Sequence, residues 1–147
     1  MSTHPSDPAI RLSSTLEGVD WVALDKELTL DRFNNGRTPD QLHESFANSY
    51  SVVFVWASHR VIGTARVLSD GVGNAYMVDV WTNSEYRNRG IARSMIEHLM
   101  QTLKGQHVYL QADDDSVEFY IKLGFLPQPQ GLSKIVGKYL NSEAYSR

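Results

Sequence analysis

The sequence predicts an α/β fold in one domain: a mixed, mostly antiparallel sheet containing one parallel strand pair. Two β-branched and aromatic runs, SVVFVWA (51–57) and RVIGTARVLSD (60–70), flank the short turn 58–60 and read as an antiparallel hairpin. A strand–helix–strand unit over 75–112 implies a parallel pair joined by a right-handed crossover. No internal repeat or Pro/Gly/Ser-rich linker divides the 147 residues, so the expectation is a single domain over 1–147.

The elements follow in order. The lead-in MSTHPSDP (1–8) is expected to be disordered, and residues 9–13 form a short strand. Trp21, Leu24 and Leu28 recur at helical spacing after Asp20, a ready N-cap. DRFNNGR (31–37) is a turn. TPDQLHESF (38–46) starts a second helix, with Thr38 as N-cap, Pro39 at the first helical position and Gln41 completing a capping box. The hairpin comes next, then the turn 70–74 and a third run, AYMVDVWT (75–82). From 89 to 104, Ile91, Ala92, Met95, Ile96, Leu99, Met100 and Leu103 share one face of a helix that Gly105 ends. HVYLQA (107–112) is a strand, and Asp113, Asp114 and Asp115 place carboxylates at the start of a helix over 116–123, with Gly124 as its stop. SKIVGKYL (133–140) reads as a last strand.

Composition limits the function classes. An apolar fraction of 41% suits a packed globular core. With no cysteine there is no disulfide framework, thiol nucleophile or cysteine zinc site. The five histidines show no metal-ligand spacing, so no metal is expected, and His98 falls on the polar, solvated face of its helix. A net charge of −3 argues against general nucleic-acid binding, and no apolar run reaches membrane-spanning length. The N-terminus lacks signal-peptide character, and a cytoplasmic protein is expected.

Against this acidic background, EYRNRGIARSMIEHLM (85–100) sets Arg87, Arg89 and Arg93 around Gly90 where a helix begins. The first amides of a helix have no internal partner and, with its dipole, attract phosphate. Gly90 and the small Ala92 let a ligand approach the backbone. Neither the Gly-Lys-Ser/Thr ending of nucleotide-hydrolysing loops nor the three-glycine dinucleotide fingerprint is present.

The spacing Arg87, Gly90, Ala92 resembles the coenzyme loop of the Gcn5-related N-acetyltransferase family, and so does the wider segment DVWTNSEYRNRGIA (79–92). EFYIKLGF (118–125) is similar to that family's late helix, in the expected order and distance. The resemblance covers roughly residues 50–126 and is closest to small single-domain members. It implies a three-layer fold with helices on both sheet faces and a parallel pair that splays apart to admit acetyl-coenzyme A. It implies that Val80, Trp81 and Thr82 offer backbone groups to the pantetheine arm. Asn88, Arg89, Gly90, Ile91, Ala92 and Arg93, with Arg87, would hold the pyrophosphate, and Asp113 would lie near the coenzyme arm. Tyr120 matches the tyrosine that protonates or holds the departing thiolate, and an amide around Val80 would stabilise the oxyanion. No base is evident. Strand alternation sets Asp79 on the face opposite Tyr76 and Val78, which points to a structural role. The loop 31–37, Tyr76 and residues 131–135 would line the acceptor pocket, where Phe33 and Tyr76 could stack on an aromatic amine.

The activity so implied is direct transfer of acetyl to a primary amine, with a small or arylalkyl amine first. A protein lysine or N-terminus is the alternative acceptor, and a coenzyme A-binding sensor without turnover is the alternative from another class. Family members are often dimers, so a homodimer is allowed for.

Overall fold

The structure, a computed structural model, describes residues 9–137. The chain forms two compact units, Met1–Leu110 and Gln111–Arg147. The first contains strands β1 (Ile10–Ser13), β2 (Ser51–Ala57), β3 (Arg60–Ser69), β4 (Asn74–Thr82) and β5 (His107–Tyr109), with helices α1 (Trp21–Leu30), α2 (Pro39–Ala47) and α3 (Ile91–Met100). The sheet order is β1-β2-β3-β4-β5; neighbours are antiparallel except β4 and β5, which are parallel. The second unit carries α4 (Val117–Lys122), preceded by a 3-10 turn at Asp114–Ser116.

Local chemistry starts the first two helices where the sequence places them. Asp20 accepts from the Ala23 amide at 3.0 Å. Thr38 and Gln41 form the reciprocal capping box, at 3.1 and 2.9 Å. Leu24 and Leu28 of α1 and Leu42 and Phe46 of α2 then bury against Val52, Phe54, Trp56, Val61 and Trp81. Each such side chain contributes about 1.5–3 kcal/mol on leaving water. The other face takes α3, whose Ile91, Met95, Ile96 and Leu99 are buried. A Cβ at Gly63 would stand 3.2 Å from Met95 Sδ and 3.3 Å from Ile91, so β3 carries a glycine where α3 closes on it. Helices thus cover both faces of the sheet.

Several boundaries differ from expectation. α3 begins at Ile91 and ends at Met100, leaving Arg89 outside the helix. Polar turn residues follow Met100, while Leu103 is still buried beyond the last helical turn. β5 stops at Tyr109, short of residue 112. Neither Asp113 nor Ser116 makes a side-chain cap at the starts it precedes, so the aspartates flank α4 without capping it. Of the strand expected over 133–140, residues 133–137 are not in a strand; 138–140, like the disordered lead-in expected over 1–8, lie outside the described residues.

Candidate functional site

The site begins with a break in pairing. β5 pairs with β4 only at Asn74↔His107, Ala75↔Val108 and Tyr76↔Tyr109. Beyond Tyr76, β4 runs on to Thr82 without a β5 partner. Its other edge stays bonded to β3, but the register slips by one residue between Arg66↔Val78 and Thr64↔Trp81. Asp79 sits at that slip with φ +55°, a bulge that adds a residue to β4.

The bulge corrects one expectation. Alternation would send Asp79 away from Val78, yet its carboxylate lies on the Arg66 side, and Arg66 is the cross-strand partner of Val78. Arg37 Nη1 and Nη2 donate to both carboxylate oxygens at 2.9 and 3.0 Å, and Arg66 Nε donates to one of them. Arg66 also reaches the Ser45 carbonyl, and its guanidinium lies over the Phe46 ring, so this is the α2 face. Burial pushes the Asp79 carboxyl up, but the two guanidiniums outweigh it and hold the pKa below the usual value of 3.8. A carboxylate so engaged is structural, as expected, though for a different geometric reason.

Past the bulge, Val80 is half-buried and Trp81 is buried, its indole N–H donating to Asp31 Oδ2 at 3.0 Å. Thr82 Oγ1 is buried and, among the described residues, has no hydrogen-bond partner. Such an atom costs about 1–3 kcal/mol unless something meets it. Asn83 caps the 3-10 turn Ser84–Tyr86, and the chain then passes through Asn88 and Gly90, both at positive φ, 64° and 78°. Gly90 is the N-cap of α3 and offers no side-chain cap, in contrast to Asp20 and Thr38. The amides of Ile91, Ala92 and Arg93 therefore start the helix without the capping oxygen that α1 and α2 have. Apart from its own chain neighbours, a Cβ built on Gly90 would meet no heavy atom within 4 Å.

The arginines divide. Arg87 Nε lies 3.5 Å from the Thr82 carbonyl, the Arg89 guanidinium stands 5.1 Å over the Tyr86 ring, and Arg93 pairs with Glu97 at 2.8 Å. All three are exposed. On the α2 face, Tyr76 lies in register between Leu68 of β3 and Tyr109 of β5, a row of apolar and aromatic side chains across three strands. Leu68 and Tyr109 are exposed. Phe33, by contrast, packs against the core cluster. His98 is bonded by Ser14 at 2.6 Å rather than solvated alone.

In the second unit, Tyr120 is buried, with Phe119 and Phe125 in edge contact at 5.1 and 5.7 Å. Burial, and then the negative charge of exposed Asp113, raise its phenol pKa above 10.0. It keeps its proton throughout the neutral range.

Sequence reasoning missed the anchoring set Asp31, Arg37 and Arg66. A signal existed for Arg66: a charged residue inside an otherwise apolar strand asks for a buried partner. No group of residues suited to a metal ion occurs among the described residues.

Comparison with known proteins points one way. The family model of the acetyltransferase (GNAT) family matches residues 19–125. A histone acetyltransferase of Glycine max is 33% identical over 130 residues, covering 78% of this chain and 56% of its own length. A chloroplastic serotonin N-acetyltransferase of Oryza sativa is 30% identical over 134 residues, covering 84% of this chain and 64% of its own. The chain thus spans 56% and 64% of the length of these two relatives. A solved structure of a proposed acetyltransferase from Deinococcus radiodurans superposes with TM-score 0.77 at 25% identity, covering 91% of this chain and 93% of that one.

Proposed function

The chain belongs to the GNAT acetyltransferase family, and on that premise we propose that it is an acetyl-coenzyme A-dependent N-acetyltransferase acting on a small arylalkyl primary amine. The observation that carries this reading is the run from the unpaired β4 edge at Val80–Thr82 into the uncapped N-terminus of α3. Extended backbone groups, a buried hydroxyl unmet among the described residues and a helix start with no side-chain cap suit a long amide-bearing arm that ends in a pyrophosphate. Val80, Trp81 and Thr82 would take the arm. Asn88, Arg89, Gly90, Ile91, Ala92 and Arg93 would take the phosphates, with Arg87 beside them and Asp113 near the arm.

The coenzyme supplies an acetyl thioester. The chain's own residues do the rest. The β4 amide near Val80 would donate to the oxygen that gains charge as the amine attacks. Tyr120, protonated at neutral pH, would give its proton to the departing sulfur. The row Leu68–Tyr76–Tyr109, in which Tyr76 is half-buried and exposed Tyr109 stacks on His107 at 4.1 Å, favours an aromatic acceptor that would extend the stack. A protein lysine or N-terminus is the second reading, favoured by the similarity to the Glycine max histone acetyltransferase. A homodimer and action in the cytoplasm complete the reading.

The test is thiol release from acetyl-coenzyme A with a panel of arylalkyl amines, aliphatic amines and lysine peptides. Arylalkyl amines should give the highest kcat/KM, and Tyr120→Phe should lower kcat about 10²-fold, within the range of general acid catalysis, with little change in coenzyme affinity. Preference for peptides would move the acceptor to protein. Coenzyme binding without thiol release from any amine would make the chain a sensor.

A further inference from the structure

We propose that Asp31 and Arg37, at the two ends of the 31–37 loop, are positioning residues that lock this loop to the coenzyme end of β4. Coenzyme binding and the order of the acceptor loop then become one event. The inference rests on the functional reading above, in which β4 and the α3 start hold the coenzyme and the loop lines the acceptor pocket.

Three sets of contacts carry it. At the first end, Asp31 Oδ2 accepts from the Trp81 indole and from the Ser84 amide, both at 3.0 Å. One helical turn earlier, Glu27 Oε2 accepts from Asn83 Nδ2 at 2.8 Å, and Asn83 is buried. The C-terminal turn of α1 thus grips residues 81, 83 and 84, which join the β4 edge to the proposed phosphate loop. Burial raises the Asp31 carboxyl, but hydrogen bonds from Ser84 and Trp81 and the charge of Arg87 lower it on balance, so it stays ionised to hold both donors.

At the other end, Arg37 grips Asp79 through both terminal nitrogens while its Nε donates to the Asn34 carbonyl at 2.9 Å. The two attachments therefore fall on either side of the segment 79–84. Between them the loop holds its own shape. Arg32, Asn35 and Gly36 have positive φ, the Phe33 amide donates to Leu28 O at 2.8 Å, and the Gly36 amide donates to Asn34 Oδ1 at 3.2 Å. A loop built this way moves as a body with its anchors. Any ligand that orders residues 79–84 orders the loop as well, by as much as it prefers the anchored state. Neither Asp31 nor Arg37 is among the residues assigned to the coenzyme, so an effect of either on its binding is transmitted.

Hydrogen exchange on the full chain, with and without acetyl-coenzyme A, tests this together with calorimetry. In the wild type, the amides of Arg32, Phe33, Gly36 and Arg37 should slow about fivefold or more on coenzyme binding, the low end of ordinary coupling. In Asp31→Ala that slowing should vanish while calorimetry still detects binding. Asp31→Asn, which keeps one acceptor oxygen, should fall between the two. A purely structural role would lower stability without removing the ligand-dependent slowing. Binding by the wild type with unchanged exchange at these four amides overturns the coupling and leaves the functional reading intact, whether or not the variants fold. Slowing in Asp31→Ala equal to the wild type removes Asp31 from the role. Absence of calorimetric binding by the wild type defeats the functional reading and this inference with it.

Discussion

Asp79 and Tyr120 show how a residue's surroundings, rather than its type, decide what it can do. Asp79 stands where a base would be useful, beside the unpaired edge of β4, but two guanidiniums claim its oxygens. Its folded pKa lies below 3.8, so the folded state binds fewer protons than the unfolded one. The stability it contributes is complete above the unfolded pKa and is lost as pH falls through the folded one. Urea midpoints should therefore drop as the pH goes below about 4. Asp79→Asn should flatten that dependence and cost about 3–5 kcal/mol at neutral pH, since it leaves Arg37 and Arg66 uncompensated. An acid limb identical in the two proteins would show that the pair carries no such linkage. The sequence showed the carboxylate but not its direction. Alternation is a rule for regular strands, and one extra residue at φ +55° reverses it.

At the scale of elements, those with local signals stand where the sequence places them. α2 is the clearest, because Thr38, Pro39 and Gln41 all act within one turn. Thr38→Ala should cost about 1 kcal/mol by urea unfolding, and a change near zero would mean that packing of Leu42 and Phe46 alone fixes the helix start. The elements misjudged are those whose ends depend on distant partners. β5 looks long enough in sequence to reach residue 112, yet its pairing with β4 ends at Tyr76↔Tyr109, a limit set by a strand some thirty positions away and not by local composition. The aspartates before α4 have the composition of caps, but the turn Asp114–Ser116 intervenes and no side chain reaches a cap position. The helix start at Gly90 was legible as a candidate anion site because a glycine and flanking arginines are local features. Its lack of a cap, compared with α1 and α2, needed the structure.

For the molecule as a whole, the alternation of strands and helices carried the architecture, and the pairing of remote residues carried what the sequence withheld. Arg37 and Asp79 lie 42 positions apart, and Asp31 and Trp81 lie 50 apart. Nothing in a local window joins them, yet they fix the 31–37 loop against the strand proposed to hold the coenzyme. The central claim is that this strand and the α3 start form the coenzyme site. Calorimetric titration of the full chain with acetyl-coenzyme A tests it most directly, on the wild type, Gly90→Ala and Gly90→Glu. Alanine controls for the strain of a side chain at φ +78°. The expected result is binding by the wild type, modest weakening in Gly90→Ala, and a further loss of about tenfold or more in Gly90→Glu, where a carboxylate would face the phosphates. Equal affinity in Gly90→Ala and Gly90→Glu, or no binding by the wild type, would contradict it.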